Sequence, residues 1–380
     1  MILRLLIALA LPAVLASYSW ICEPEHESTE YCSREMASVA SLVQVGRKTT
    51  PVKGGVVDKV VFIKLHWVGS STLNTILHHY CLFHDKNCFV EPFNKLGAGW
   101  VFGPQDLDQL VQHFQSPGVR GLDIWPNHVI MGSQLDVLIP GNFKICLFRS
   151  PLSRVMSGFR HDPGTAGQAL WRLRLQSAEK TKTLACGGRD SPMAEQISLA
   201  QVAELDFVLL TEEYDLSLMM LRRALGWSML DMMYHSMKKA SQVEVSETDE
   251  LERYLSRPVA ELNQGTRNWL ERCTGGDEAR IYEQAQQMFG DQMQRLSSEE
   301  QREVREETAT FASVRKSLED CCKHRPADTY CNVMMEDEQW VNRHWRMGKA
   351  LGTLELSHEA PPTSENSECL QLVKENLGSS

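Results

Sequence analysis

Val56-Val57-Asp58-Lys59-Val60-Val61-Phe62-Ile63-Lys64-Leu65-His66-Trp67-Val68-Gly69-Ser70-Ser71-Thr72-Leu73 is the stretch whose reading decides the fold. Through Lys64 it is a β-branched run of strand length, and from Ser70 to Tyr80 the apolar Leu73, Ile76 and Leu77 recur at helical spacing. The order is strand, hydroxyl-rich turn, helix. Further along the chain, Gly141 to Phe148 reads as a buried strand, and Pro151 opens a helix at a position where its missing N–H is no loss. Asp206 to Leu210 is a third strand, followed from Asp215 to Leu225 by a helix carrying Leu218, Met219, Leu221 and Leu225. Apolar strands that alternate with helices predict an α/β domain, a parallel sheet covered by helices on both faces.

A chain of 380 residues with 43% hydrophobic content has enough material for one large α/β domain or two ordinary ones. Its formal net charge of −10 and pI near 5.7 argue against nucleic acid or an anionic lipid surface as general partners, because both demand a broad basic face. An anionic ligand must meet a local positive site.

After Met1-Ile2-Leu3-Arg4 an apolar run extends from Leu5 to Ala16, broken only by Pro12. It is shorter than the roughly 20 residues that span a bilayer, and Val14-Leu15-Ala16 resembles a small-residue cleavage site. Residues 1–19 are a signal peptide or a short signal anchor, the latter giving membrane association if uncleaved. Residues 20–55, with Pro24, Pro51 and Gly54-Gly55, read as a stem or linker, residues 56–345 as the folded domain, and residues 346–380 as a polar, disordered tail. From about residue 245 to 320 the chain is helical and highly charged, which predicts a solvated face laced by i,i+4 ion pairs.

Eleven cysteines leave at least one unpaired if the rest are bridged within the chain. In an oxidising compartment the local pairs Cys22 with Cys32, Cys81 with Cys88, and Cys321 or Cys322 with Cys331 are the candidates. A structural zinc site is disfavoured because no C-x₂-C pair occurs.

Two places suit an anion. Gly69-Ser70-Ser71-Thr72 leads into a helix N-terminus, where free N–H groups and the helix dipole favour negative charge. It lacks the G-x-x-x-x-G-K-[ST] spacing of a nucleoside triphosphate loop, and an ordinary Ser/Thr helix cap is the alternative reading. At the second place a strand ends in Arg149, ahead of a helix carrying Ser153, Arg154, Ser157 and Arg160; a guanidinium is a planar fork matched to phosphate. Two phosphate sites at two strand ends suit a bis-phosphorylated nucleotide.

Val60 to Leu73 resembles the 5′-phosphosulfate loop of the galactose 3-O-sulfotransferases, which reads approximately VFLKTHKTASSTL, without a gap. Lys144 to Phe159 is similar to that family's 3′-phosphate segment, Arg149 and Ser157 standing where an arginine and a serine eight residues later grip the phosphate. Leu205 to Leu218 resembles its DLVLITEYFDESL block, and Glu278-Ala279-Arg280-Ile281-Tyr282 is a weaker echo. The resemblance covers roughly residues 56–290. It implies a P-loop-like sulfotransferase fold with a helical C-terminal part, and residence in the Golgi membrane with a lumenal domain. It also implies transfer of a sulfuryl group from 3′-phosphoadenosine 5′-phosphosulfate to a galactose or other sugar hydroxyl of a glycolipid or glycoprotein glycan, with no metal. The donor would be held by Lys64, Gly69, Ser70, Ser71, Thr72, Arg149 and Ser157.

Trp67 stands where the family has a lysine that contacts the phosphosulfate bridge, and Val68 where it has a threonine. Lys64 and His66 are the candidates to replace that lysine; without a replacement the chain is a donor-binding or scaffold protein of the same fold. Asn127-His128 resembles the family's Asn-His or His-His pair, although Ile130 and Met131 replace the Arg and Phe that follow. His128 is thus the candidate general base, with Glu212 or Glu213 as the alternative. His78, His79 and His84 read as structural.

Overall fold

The computed structural model describes residues 55–89, 101–161, 163–174, 186, 193–235, 246–255, 257–325, 331 and 367–378. All of them fall in one compact unit, Thr50–Ser380. The N-terminal segment, nearly all of the stem, and the Cys22–Cys32 pair lie outside the described residues.

In chain order β1 (Val60–Ile63) leads into α1 (Ser70–Phe83), and α2 (Pro104–Phe114) precedes β2 (Ile124–Trp125). Next come α3 (Gln134–Leu138), β3 (Phe143–Phe148), α4 (Pro151–His161) and α5 (Pro163–Arg174). The short α6 (Met193–Gln196) and α7 (Leu199–Val202) precede β4 (Phe207–Leu210) and α8 (Tyr214–Leu225). The helical C-terminal part comprises α9 (Ser246–Leu255), α10 (Gln264–Thr274), α11 (Gly276–Gln294), α12 (Ser298–His324) and α13 (Glu368–Gly378).

The four strands form a parallel sheet in the order β2-β1-β3-β4, with Ile63 opposite Cys146 and Phe148 opposite Leu210. Val60-Val61-Phe62-Ile63 and Phe207-Val208-Leu209-Leu210 are buried at every position, as a sheet covered on both faces requires. The α/β architecture is as expected from the sequence. β1 is shorter than its apolar run because the run's start bonds elsewhere: the N–H of Val57 donates to Leu225 and the indole of Trp227 to the carbonyl of Val57. Gly226 ends α8 at φ 70, and a Cβ there would stand 3.0 Å from the carbonyl oxygen of Gly55. That close approach and the left-handed turn both demand glycine.

The main core surrounds the sheet. A second core, among Val155 and Phe159 of α4, Leu170 and Leu173 of α5, Leu251 of α9 and Trp269 of α10, fills a helical layer that the Cys186–Cys273 disulfide staples. Cys81–Cys88 and Cys322–Cys331 form as anticipated, whereas Cys321–Cys369 and Cys186–Cys273 were not foreseen. Cys146 stays a thiol inside β3, donating to the carbonyl of Ile63 at 3.1 Å, and burial pushes its pKa up.

Two expectations need correcting. The charged C-terminal region is not simply a solvated face: α12 buries Val304, Phe311, Val314 and Leu318, and its Glu303 and Glu307 pair across to Arg222 and Arg223 of α8. The tail is not wholly disordered. Cys369 and Val373 are buried and Leu370 and Leu377 pack beside them, a helical stripe that its polar neighbours masked, and the disulfide ties α13 to the end of α12.

Candidate functional site

The chain leaves β1 towards β2 on one side and β3 towards β4 on the other, so the sheet's change of direction falls between β1 and β3. In open parallel sheets a crevice opens at that point beyond the strands' carboxyl ends. β1 ends there in Lys64 to Gly69, β3 in Arg149, and β4 in Thr211 to Glu213. β2, which the sequence did not reveal because two residues carry no periodicity, ends in Pro126-Asn127-His128.

The β1 loop turns through two left-handed residues, Trp67 at φ 65 and Gly69 at φ 84. Such a φ is routine for glycine and strained for tryptophan, costing on the order of 1–3 kcal/mol. Gly69 is the N-cap of α1 and supplies no side-chain cap, so the ordinary Ser/Thr cap is not what forms. The hydroxyl of Ser70 donates to the carbonyl of Leu65 at 2.8 Å, closing the loop from within, while Ser71 and Thr72 are half-buried at the start of the helix.

Arg149 reaches across the crevice from β3, donating to the carbonyl of Trp67 at 3.4 Å. Burial pulls its guanidinium pKa below the ordinary value; Glu212 opposes that shift and Arg160 adds to it. A half-buried, partly desolvated cation of this kind gains from an added anion. Glu212 accepts from the N–H of Ser150 at 2.8 Å, and burial followed by the Glu212 carboxylate raises the pKa of the Tyr282 phenol, which bonds to that carboxylate. Thr211 donates its hydroxyl to Val68, with the carbonyl of Phe148 3.0 Å away, so the exits of β1, β3 and β4 are locked together.

His66 and His128, both buried, stack with ring centroids 3.9 Å apart and 15° between planes. Nδ1 of His128 lies 2.8 Å from the carbonyl of Lys64. A carbonyl only accepts, so Nδ1 carries the hydrogen and Nε2 is the ring's basic nitrogen when neutral. The segment is pinned by Asn74, whose amide donates to Pro126 at 2.9 Å, and by the Trp125 indole, which donates to Asn127 at 3.1 Å.

Loop, arginine and imidazoles therefore meet at one edge of the sheet, with Lys64 buried among them. Ser157 lies half-buried on α4. Arg154 does not join an anion site: it is buried and paired at 3.3 Å with Glu278, which also accepts from the N–H of Ala194 at 3.0 Å. Burial raises the Glu278 carboxyl pKa, against the pull of Arg154 and the N–H groups of Ala194 and Met193. His78 and His79 are buried within α1, and His84 faces away, pairing with Asp231 at 2.7 Å. Among the described residues the one grouping of metal-ligand type, Cys322, Cys331 and Cys369, is engaged in disulfides.

Comparison with protein-family models, with curated proteins and with solved structures returns no match. Sequence reasoning gave no role to Thr211, although it lies in the Leu205–Leu218 block, and missed Gln196, which bonds to the N–H of His66 and the carbonyl of Lys64 some 130 residues away.

Proposed function

We propose that the chain is a sulfotransferase, moving a sulfuryl group from 3′-phosphoadenosine 5′-phosphosulfate to a sugar hydroxyl, with galactose on a glycolipid or glycoprotein as the acceptor. The observation that carries this reading is the meeting, at the sheet's change of direction, of the Gly69 helix start, Arg149 and the stacked pair His66 and His128. The start of α1 offers N–H groups to the 5′-phosphosulfate, aided by Ser71 and Thr72, and Arg149 with Ser157 holds the 3′-phosphate. Nε2 of His128 takes the acceptor's hydroxyl proton. The acceptor oxygen then bonds to sulfur as the bond from sulfur to the bridging phosphate oxygen breaks, releasing adenosine 3′,5′-bisphosphate. Lys64 and His66 are the groups that could steady the charge on that leaving phosphate, the place where such stabilisation contributes most. No step calls on a metal. Four disulfides among the described residues support an oxidising compartment, in keeping with a Golgi lumenal setting.

Trp67 favours a second reading, a protein that binds the donor without turning it over. Its strained backbone places an indole where the resembling family has a lysine. One assay separates the two. With sulfur-labelled donor and galactosylceramide, the unaltered chain is expected to form sulfated product and His128→Ala to lose roughly 10²–10⁴-fold, the range of general base catalysis. Donor binding without product would establish the second reading, and neither binding nor product would sink both.

A further inference from the structure

We infer that Gln196 is the positioning residue of this site: its carboxamide fixes the Nδ1–H tautomer of His128 and keeps the two imidazoles stacked. The inference rests on the reading of His128 as the base. Gln196 is buried at the end of the short helix α6, some 130 residues from the loop it grips. Its Nε2 donates to the carbonyl of Lys64 at 3.3 Å, and its Oε1 accepts from the N–H of His66 at 3.3 Å. No flipped amide satisfies both contacts, because a carbonyl cannot donate and an N–H cannot accept. The Lys64 carbonyl thus takes two hydrogens on its two lone pairs, one from Gln196 and one from Nδ1 of His128. The main-chain carbonyl of Gln196 also accepts from the N–H of Met131, three residues past His128, at 3.2 Å. One residue therefore holds both chain segments that carry the stacked rings. In catalytic triads a carboxylate orients the histidine; here a neutral main-chain carbonyl does so, and Gln196 holds that carbonyl in place.

The held segment is itself anchored. The N–H of Ala194, two residues earlier, donates to Glu278, and Glu278 pairs with Arg154. The position of Gln196 thus depends on the buried ion pair between α4 and α11.

The test uses the full chain labelled with ¹⁵N-histidine, the His128 signals being assigned with His128→Asn. Gln196→Met fills the same space without either hydrogen bond, and Gln196→Glu keeps the acceptor for His66 while losing the donor to Lys64. The unaltered chain is expected to show His128 as a single Nδ1–H tautomer when neutral, and both variants, folded by near-ultraviolet circular dichroism, a mixture. In the transfer assay kcat should fall roughly 10- to 100-fold, as when a partner that orients a reacting imidazole is removed, with the donor KM unchanged. A single Nδ1–H tautomer persisting in both variants would overturn the inference. Absence of transfer by the unaltered chain would defeat the sulfotransferase reading alone, because the imidazole spectra still decide the role of Gln196.

Discussion

The two edges of the sheet treat polar side chains differently. At the amino edge each acid has an evident partner. Asp123 accepts from the N–H of Asn87 at 2.8 Å, Asp206 from that of Lys144 at 2.9 Å, and Asp58 from the Tyr80 hydroxyl while pairing with Lys86. Tyr80 stacks on Trp227 at 3.5 Å, and His84 bonds Asp231. These contacts close the strand starts and contribute stability. At the carboxyl edge a bulky residue is held at positive φ, a guanidinium is desolvated, and two imidazoles are stacked inside the protein. The amino edge has one such departure of its own, Asp85 at φ 49, but aspartate tolerates a left-handed φ far better than tryptophan does, and costly breaches concentrate where a protein binds or reacts.

The sharpest way to break the contrast is to loosen the carboxyl edge from beneath. Arg154→Ala leaves Glu278 buried without its cation, and should lower the unfolding free energy by about 3–5 kcal/mol, read by urea denaturation. A loss below about 1 kcal/mol would mean that the pair does not support this edge. At the amino edge Tyr80→Phe should cost only about 1–2 kcal/mol and leave nucleotide binding unchanged. The same residue carries a pH signature. Burial, and then the charge of Asp58, hold the Tyr80 phenol well above its ordinary range. A phenol harder to ionise folded than unfolded contributes fully below its unfolded pKa of about 10 and loses that contribution as pH rises beyond it. Stability should therefore fall from about pH 10 upward, and less steeply in Tyr80→Phe, by thermal unfolding across pH; identical slopes would remove Tyr80 from the account. The smallest effect is Trp67→Gly, which releases the strained φ and should raise stability by about 1 kcal/mol if strain outweighs the chain entropy that glycine adds. A clear loss instead would show that the indole's packing, not its backbone, governs the loop.

Much of the sheet was legible because its strands are apolar on both faces and each is followed by a helix with a clear start, as with Pro151 and Ser70. β2 was not, since Ile124-Trp125 gains its identity only by pairing with Val60 and Val61. α13 was hidden in a polar tail because its burial depends on a cysteine partner 48 residues away. Gly69, Ser70 and Arg149 were singled out because they sit in local patterns, and His128 because Asn127-His128 resembles a family pair; the structure brings them to the same edge of the sheet. Arg154, which the sequence sets on the helix after Arg149, could not be told apart from an anion-binding arginine, since a pattern does not reveal a partner 124 residues away. Gln196 was invisible for the same physical reason, its partners being non-local.

The most direct test of the carboxyl edge as the functional one is calorimetric binding of adenosine 3′,5′-bisphosphate to the full chain and to Arg149→Ala. The unaltered chain is expected to bind, and the substitution to weaken binding by about 1.5–3 kcal/mol, the worth of a charge-assisted hydrogen bond. Absence of binding by the folded, unaltered chain, or equal affinity in the two proteins, would contradict that expectation.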